Sequence, residues 1–261
     1  VTRSIREAFV PDLRRVRDHP WRGFPSQLVL VTVAALFYFG VRLFTKEAET
    51  AALANASRLV HFERLFGLDI EASAQGLVLG NDAMVTFWNW VYIWFHWPVI
   101  IGAMFLLFRF SRRNFLVFRN ALILSGAIGL IIFATYPVAP PRFIPGFEDT
   151  VTNLSSSYKF LQPPSIVNKY AALPSFHVGW NVLAGVIVFR TTRIRLVKVF
   201  AVLSPTLMTM AVVFTANHWV IDAIVGSAIA LVGYAGAMWI DRRTRPRQDD
   251  DTETPADLAA V

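Results

Sequence analysis

The sequence predicts an all-α integral membrane protein of six transmembrane helices, with an interfacial amphipathic helix between the first and second spans. Three observations predict it. Of 261 residues, 55% are hydrophobic and only 16% charged, against about 25% charged in an ordinary soluble domain. The apolar residues gather into six runs, each near the ~20 residues that cross a bilayer core. The arginines gather between those runs, where membrane topology places them. The formal charge of +7 is therefore read as a topological signal, with no nucleic-acid partner. The chain has no cysteine, which excludes a disulfide framework and thiolate chemistry.

The runs are 28–44, 87–108, 117–138, 176–190, 196–215 and 219–240. In lipid each must be helical, because its backbone has nothing else to bond. The fourth is short, and Arg190 and Arg193 can snorkel to extend it. The first run is preceded by Arg3, Arg6, Arg14, Arg15, Arg17 and Arg22. Arg109, Arg112, Arg113 and Arg119 follow the second, Arg190, Arg193, Arg195 and Lys198 the fourth, and Arg242, Arg243, Arg245 and Arg247 the sixth. If six spans alternate, all four clusters lie on one side, the cytoplasm by the positive-inside rule. Both termini are then cytoplasmic in a plasma membrane, and loops 45–86 and 139–175 face outward. The organisation read from this is a basic segment 1–27, a membrane domain 28–240, and a polar, acidic tail 241–261 whose composition suits disorder. Ala54-Asn55-Ala56 looks like a cleavage site. Lys46, Glu47 and Glu49 separate it from the apolar run, however, so that run is read as an uncleaved anchor.

The chemistry concentrates at the outer ends of the helices. In "YAALPSFHVGW", 170–180, a helix start carries His177. The chain crosses twice more and regains the outer face at "TANHWVIDAIVG", 215–226, so His177 and His218 share a level. Asp222 is four residues after His218, and i and i+4 share a helix face. A carboxylate there can accept a ring N–H, fix the tautomer and leave the other nitrogen a lone pair. This is the base-and-orienter pattern of an activated nucleophile, and His177 is a second titrating group that can protonate a leaving oxygen. Pro174-Ser175 reads as a helix start with Ser175 as N-cap, and helix N-termini bind anions. "YPVAPPRF", 136–143, ends the third run at the same level. Its prolines stop the helix, and Arg142 offers a fork matched to phosphate oxygens. Arg142, Ser175 and Phe176 are the candidate phosphate-binding residues. The cations are protein groups, so neither a metal nor another cofactor is required. Each motif alone is weak. A lone Arg at a membrane edge is usually an anchor, and the signal is their joint occurrence at three outer helix ends.

These residues resemble the type 2 phosphatidic acid phosphatase superfamily. That family carries a basic motif ending in Arg-Pro, then P-S-G-H, then S-R-x(5)-H-x(3)-D. Here the second motif reads Pro174-Ser175-Phe176-His177, and the third includes His218-Trp219-Val220-Ile221-Asp222. The resemblance implies that His218 attacks phosphorus, that Asp222 orients it, and that His177 is general acid and then base. Four positions depart from the pattern: Phe176 for Gly, Ala211 and Val212 for Ser and Arg, and Thr135 for the first motif's Lys. The departures are similar to a subgroup containing inositol phosphorylceramide synthase and bacterial relatives, which reads Y-P-x-A-P-P-R, N-x-Y-A-A-x-P-S-x-H and H-Y-x-x-D. Asn168, Tyr170 and Tyr136 belong to these stretches, with Trp219 in place of Tyr. The implied substrate is a phospholipid or an isoprenoid lipid phosphate in the membrane; the oligomeric state is left open.

Further candidates are less specific. "RLVHFERLFGLDIE" places Leu59, Phe62, Leu65 and Phe66 on one stripe, as in a helix lying in the interface. It is either a cap over the bundle or a place where His61, Glu63 or Glu71 gates the site or binds a headgroup. Asn89, Tyr92 and His96 share a face of the second span, either bonding within the bundle or touching substrate. Lys159 and Lys169 lie in the outward loop and are either solvated or stand in for the missing cations. The competing class is a transporter or a non-catalytic scaffold. A proton relay needs titratable groups through the bundle, and the middles of the fourth and fifth runs have none.

Overall fold

The computed structural model describes residues 25–29, 31–33, 49–154 and 169–244. Regular structure among them is helical: α1 Glu49–Leu65, α2 Glu71–Leu79, α3 Asp82–Phe110, α4 Arg112–Thr135, a short α5 Thr150–Leu154, α6 Phe176–Thr191, α7 Arg195–Phe214 and α8 Val220–Thr244. Most of the first apolar run, Asn168, Lys159, most of the basic segment 1–27 and the tail beyond Thr244 lie outside the described residues. α8 continues four residues past the expected start of the tail.

Among the described residues four helices, α3, α4, α7 and α8, are long and apolar enough to cross a membrane. The 24 residues of α4 rise about 36 Å. α6 has 16 residues, or about 24 Å, and packs against α3, α4, α7 and α8. It is buried on most of its surface, so its apolar run faces protein more than lipid.

The single helix expected over 58–71 is broken. α1 ends at Leu65, Gly67 turns the chain with φ 64°, and α2 starts afresh at Glu71. The Leu68 N–H returns to the Glu63 carbonyl at 2.9 Å, closing α1 through the left-handed glycine as helix ends commonly do. The expected stripe divides as well: Leu59 is buried in the bundle, whereas Phe62, Leu65 and Phe66 are exposed.

Small residues let α8 approach two helices. A side chain at Gly226 would strike the backbone of Ser175, and one at Gly179 the carbonyl of Gly226. Gly233, further down, meets Ala121 and Ser125 of α4. Such stripes are how membrane helices gain close packing. At the far end, Arg113 Nε donates to Asp241 at 3.0 Å and Asn114 Nδ2 to Thr191 Oγ1 at 2.9 Å. The basic ends of α4, α6 and α8 are thus joined, opposite the end that carries the histidines.

Candidate active site

Three loops converge at the non-basic end, and backbone bonds hold them in place. After α4, Tyr136–Pro140 runs extended, and Asn55 Nδ2 of α1 donates to the Pro137 carbonyl at 2.9 Å. Val138 N–H donates to Tyr170 O at 2.9 Å, and Ala172 N–H to Val138 O at 3.1 Å, a single parallel bridge between the first and second motifs. The third motif joins both. Arg142 N–H donates to Ala216 O at 2.9 Å and Ser175 N–H to Asp222 O at 2.9 Å. Trp219 Nε1 donates to Ala139 O at 2.9 Å.

The turn that delivers His218 is strained. Ala216 follows α7 with φ 51°, a left-handed conformation that costs a residue other than glycine about 1–2 kcal/mol. The N–H groups of Asn217 and His218 both return to Val212 O, at 2.9 and 3.2 Å. Strain of this kind gathers where the surroundings over-determine a functional geometry.

His218 is 6% exposed and precedes α8 rather than lying on it. Its Nδ1 lies 2.9 Å from Ala172 O and 3.5 Å from Asp222 Oδ2. The orienting acceptor is therefore the Ala172 carbonyl with Asp222 behind it, where the sequence predicted the carboxylate alone. A carbonyl only accepts, so Nδ1 carries the proton and the neutral ring's lone pair is on Nε2. Asp222 is fully buried, and its Oδ2 also accepts Trp219 N–H at 2.9 Å.

His177, on the first turn of α6, has its ring centroid 5.8 Å from that of His218. Tyr92 and His96 flank it at 4.8 and 4.9 Å. Both come from α3, where a π-helical turn, Val91–Phe95, interrupts the α-helix. Such turns are frequent at functional sites. Asn181, one turn below His177, donates through Nδ2 to His177 O at 2.7 Å and lies 3.0 Å from His96 Nδ1. Asn89 stands apart. It exchanges two hydrogen bonds with Thr150, both 3.0 Å, and so ties α3 to the start of α5.

Arg142 sits on a 3₁₀ turn, Pro141–Phe143. Its guanidinium donates to Asn217 Oδ1, and its Nε lies 3.6 Å from Asp149 Oδ2. It is thereby anchored beside the residue preceding His218. Ser175 occupies the N-cap position, but its side chain does not cap α6; its Oγ is buried and makes no hydrogen bond among the described residues. Phe176 turns its ring into α4, against Phe133 and Trp180 and over Gly129. Its side chain packs the bundle, so only its backbone is left for the expected phosphate contact. Tyr170 is drawn toward α1, where partial burial and the Glu49 carboxylate raise its hydroxyl above the ordinary value. Tyr136 and Lys169 are exposed at the rim, and His61 is exposed on α1. Glu63 and Glu71 are buried against the start of α8, accepting Ile221 and Val220 N–H groups at 2.7 Å each.

Ala172 O, Asn181, Asn217 and Asp149 were not legible as site residues. Asn181 had the one usable signal, a polar residue at i+4 from His177 on an apolar helix.

With three loops meeting at two histidines, the comparison with known proteins is decisive. A model of the PAP2 superfamily matches residues 57–236. The chain belongs to the PAP2 superfamily. The resemblance read from the motifs is thereby borne out, and the chain is a multi-pass membrane protein of that family. It is also similar to a phosphoinositol dihydroceramide synthase of Bacteroides thetaiotaomicron, 26% identical over 157 residues, covering 54% of this chain and 51% of that protein. The chain thus spans about half the length of that curated relative. No solved structure matches. At the level of the superfamily, the chemistry is cleavage or transfer of a lipid phosphoester.

Proposed function

We propose that this PAP2 protein transfers the phosphoryl group of a membrane lipid phosphoester through a phosphohistidine on His218. The observation that carries the reading is the pairing of His177 and His218, from helices far apart in sequence, at 5.8 Å between rings, a spacing one phosphoryl group can bridge. His218 Nε2 attacks phosphorus while the bond to the lipid oxygen breaks, and His177 gives that oxygen its proton. The deprotonated His177 then takes a proton from the acceptor, whose oxygen bonds phosphorus as the N–P bond breaks. Asp222 and Ala172 O hold the His218 ring. Arg142, the unsatisfied Ser175 Oγ and the first-turn N–H groups of α6 stabilise the equatorial charge. These protein groups supply the charge stabilisation without a metal.

Six spans, cytoplasmic termini and an extracytoplasmic site complete the reading, because the histidines lie opposite the basic helix ends. A lipid substrate also suits an apolar cleft of about 190 Å³ lined by Phe95, Pro98, Gly102, Ala184, Gly185 and Ser204. One of its lining residues, Phe95, precedes His96 in α3.

The similarity to a phosphoinositol dihydroceramide synthase favours a second form of the same chemistry. In it the first step moves an inositol-phosphoryl group, and a lipid alcohol replaces water. Purified protein in detergent is to be given phosphatidate, lysophosphatidate, polyprenyl diphosphate and phosphatidylinositol, with and without a ceramide. Free phosphate from a monoester marks a phosphatase, and a new phosphorylated lipid marks a transferase. Absence of both, with the fold intact, leaves the transporter or scaffold reading.

A further inference from the structure

The phosphate chemistry leaves two acidic side chains unused, and both are buried: Glu63 at 0% exposure and Glu71 at 1%. They come from different helices and meet at the N-terminus of α8. Glu63 Oε1 accepts Ile221 N–H and Glu71 Oε1 accepts Val220 N–H, each at 2.7 Å. Asp222 Oδ2 accepts the preceding Trp219 N–H at 2.9 Å. Three consecutive N–H groups therefore end on three carboxyl groups from α1, α2 and α8. A helix leaves its first four N–H groups without intrahelical partners, and its N-terminus offers only about half a positive charge. Three full negative charges exceed that. One proton reduces the excess. Glu63 Oε2 is buried and has no hydrogen-bond partner among the described residues, and the Glu63 and Glu71 carboxyl groups interact with each other. A proton on Oε2, donated to Glu71, satisfies both oxygens.

We propose that Glu63 and Glu71 are positioning residues for phosphoryl transfer, a carboxyl–carboxylate pair whose shared proton fixes the first turn of α8 and, through it, Asp222 and His218. The inference rests on the roles given to His218 and Asp222 above. Its electrostatics agree with its geometry. Burial first, then the charges of Glu71 and Asp222, raise Glu63 to about 8 against the opposing pull of the Ile221 N–H. Burial raises Glu71 in the same direction. The titratable groups facing the pair are each other, Asp222 from α8 and, behind it, the His218 ring. Above about pH 8 the pair loses its proton, and two adjacent carboxylates repel each other and Asp222. The folded-state value of Glu63 lies above its ordinary 4.5. Its contribution to stability is therefore full below 4.5 and is lost progressively as pH rises to about 8.

The test compares the full chain in detergent, on a lipid phosphate the wild type turns over, from about pH 5 to 10. Glu63→Gln keeps an acceptor for Ile221 and gives Glu71 a permanent donor. It is expected to hold kcat within about threefold of wild type at neutral pH and to lose the fall in kcat above about pH 8. Its unfolding temperature should also decline less between pH 4.5 and 8. Glu63→Leu and Glu71→Leu remove the acceptors and should lower kcat about 10²-fold, with KM changed far less. An alkaline limb in Glu63→Gln identical to wild type, or wild-type kcat in Glu63→Leu, overturns the inference. If the leucine variants do not fold, the pH profile of Glu63→Gln decides alone. Activity surviving in His218→Ala would instead sink the catalytic reading, an outcome separate from any result at Glu63.

Discussion

His218→Ala is expected to reduce turnover of any lipid phosphoester by about 10⁴-fold or more, the scale of losing a covalent nucleophile. The loss should appear in kcat, with substrate binding retained, because Arg142 and Ser175 do not depend on the imidazole. The variant should fold. The His218 ring donates to Ala172 O with Asp222 Oδ2 behind it at 3.5 Å, and a bond of that kind contributes about 1 kcal/mol net. The loops are held independently, by Ser175 N–H to Asp222 O and by Trp219 Nε1 to Ala139 O. Steady-state kinetics beside a thermal melt separate the two effects. A folded variant within tenfold of wild-type kcat would contradict the assignment.

The second large effect is at His177, and its signature is the leaving group. A general acid contributes about 10²–10⁴-fold when the departing oxygen is a poor leaving group. His177→Ala is therefore expected to slow lipid alkyl phosphoesters by that factor. An aryl phosphate, whose oxygen leaves without a proton, should show little of this loss in the first step. The second step still lacks its base, so phosphoenzyme should accumulate from the aryl substrate as a burst. His177 suits such a substitution: its ring is partly exposed and bordered by Tyr92, His96 and His218. An equal loss on alkyl and aryl substrates, with no burst, would make His177 a packing or binding residue instead.

The sequence carried the convergence of three motifs because proline-stopped loops and alternating spans fix which helix ends meet. It could not carry contacts made by backbone. The acceptor on His218 is the carbonyl of an alanine, Ala172, and no side-chain pattern announces that. The break in the stretch 58–71 was not legible because a hydrophobic stripe survives a turn: Phe62 and Ile70 are both exposed apolar residues, yet Gly67 separates them in the left-handed region. Glu63 and Glu71 look solvent-facing in sequence, since glutamates on amphipathic helices usually are. Only the free N–H groups of α8 explain their burial. The π-helical turn at Val91–Phe95 likewise leaves no periodicity to read, because one widened turn is lost among apolar residues. Phe176 was taken for a phosphate contact from its motif position, whereas the groove over Gly129 decides where its ring goes.

The most direct test of a phosphoenzyme on His218, with His177 as its acid and base, is to trap the intermediate. His177→Ala is quenched during the burst with an aryl phosphate, digested under alkaline conditions that preserve phosphohistidine, and sequenced by mass spectrometry. The account predicts phosphate on His218 alone, absent from His177→Ala/His218→Ala. Phosphate on any other residue, or a burst that persists in the double variant, would contradict it.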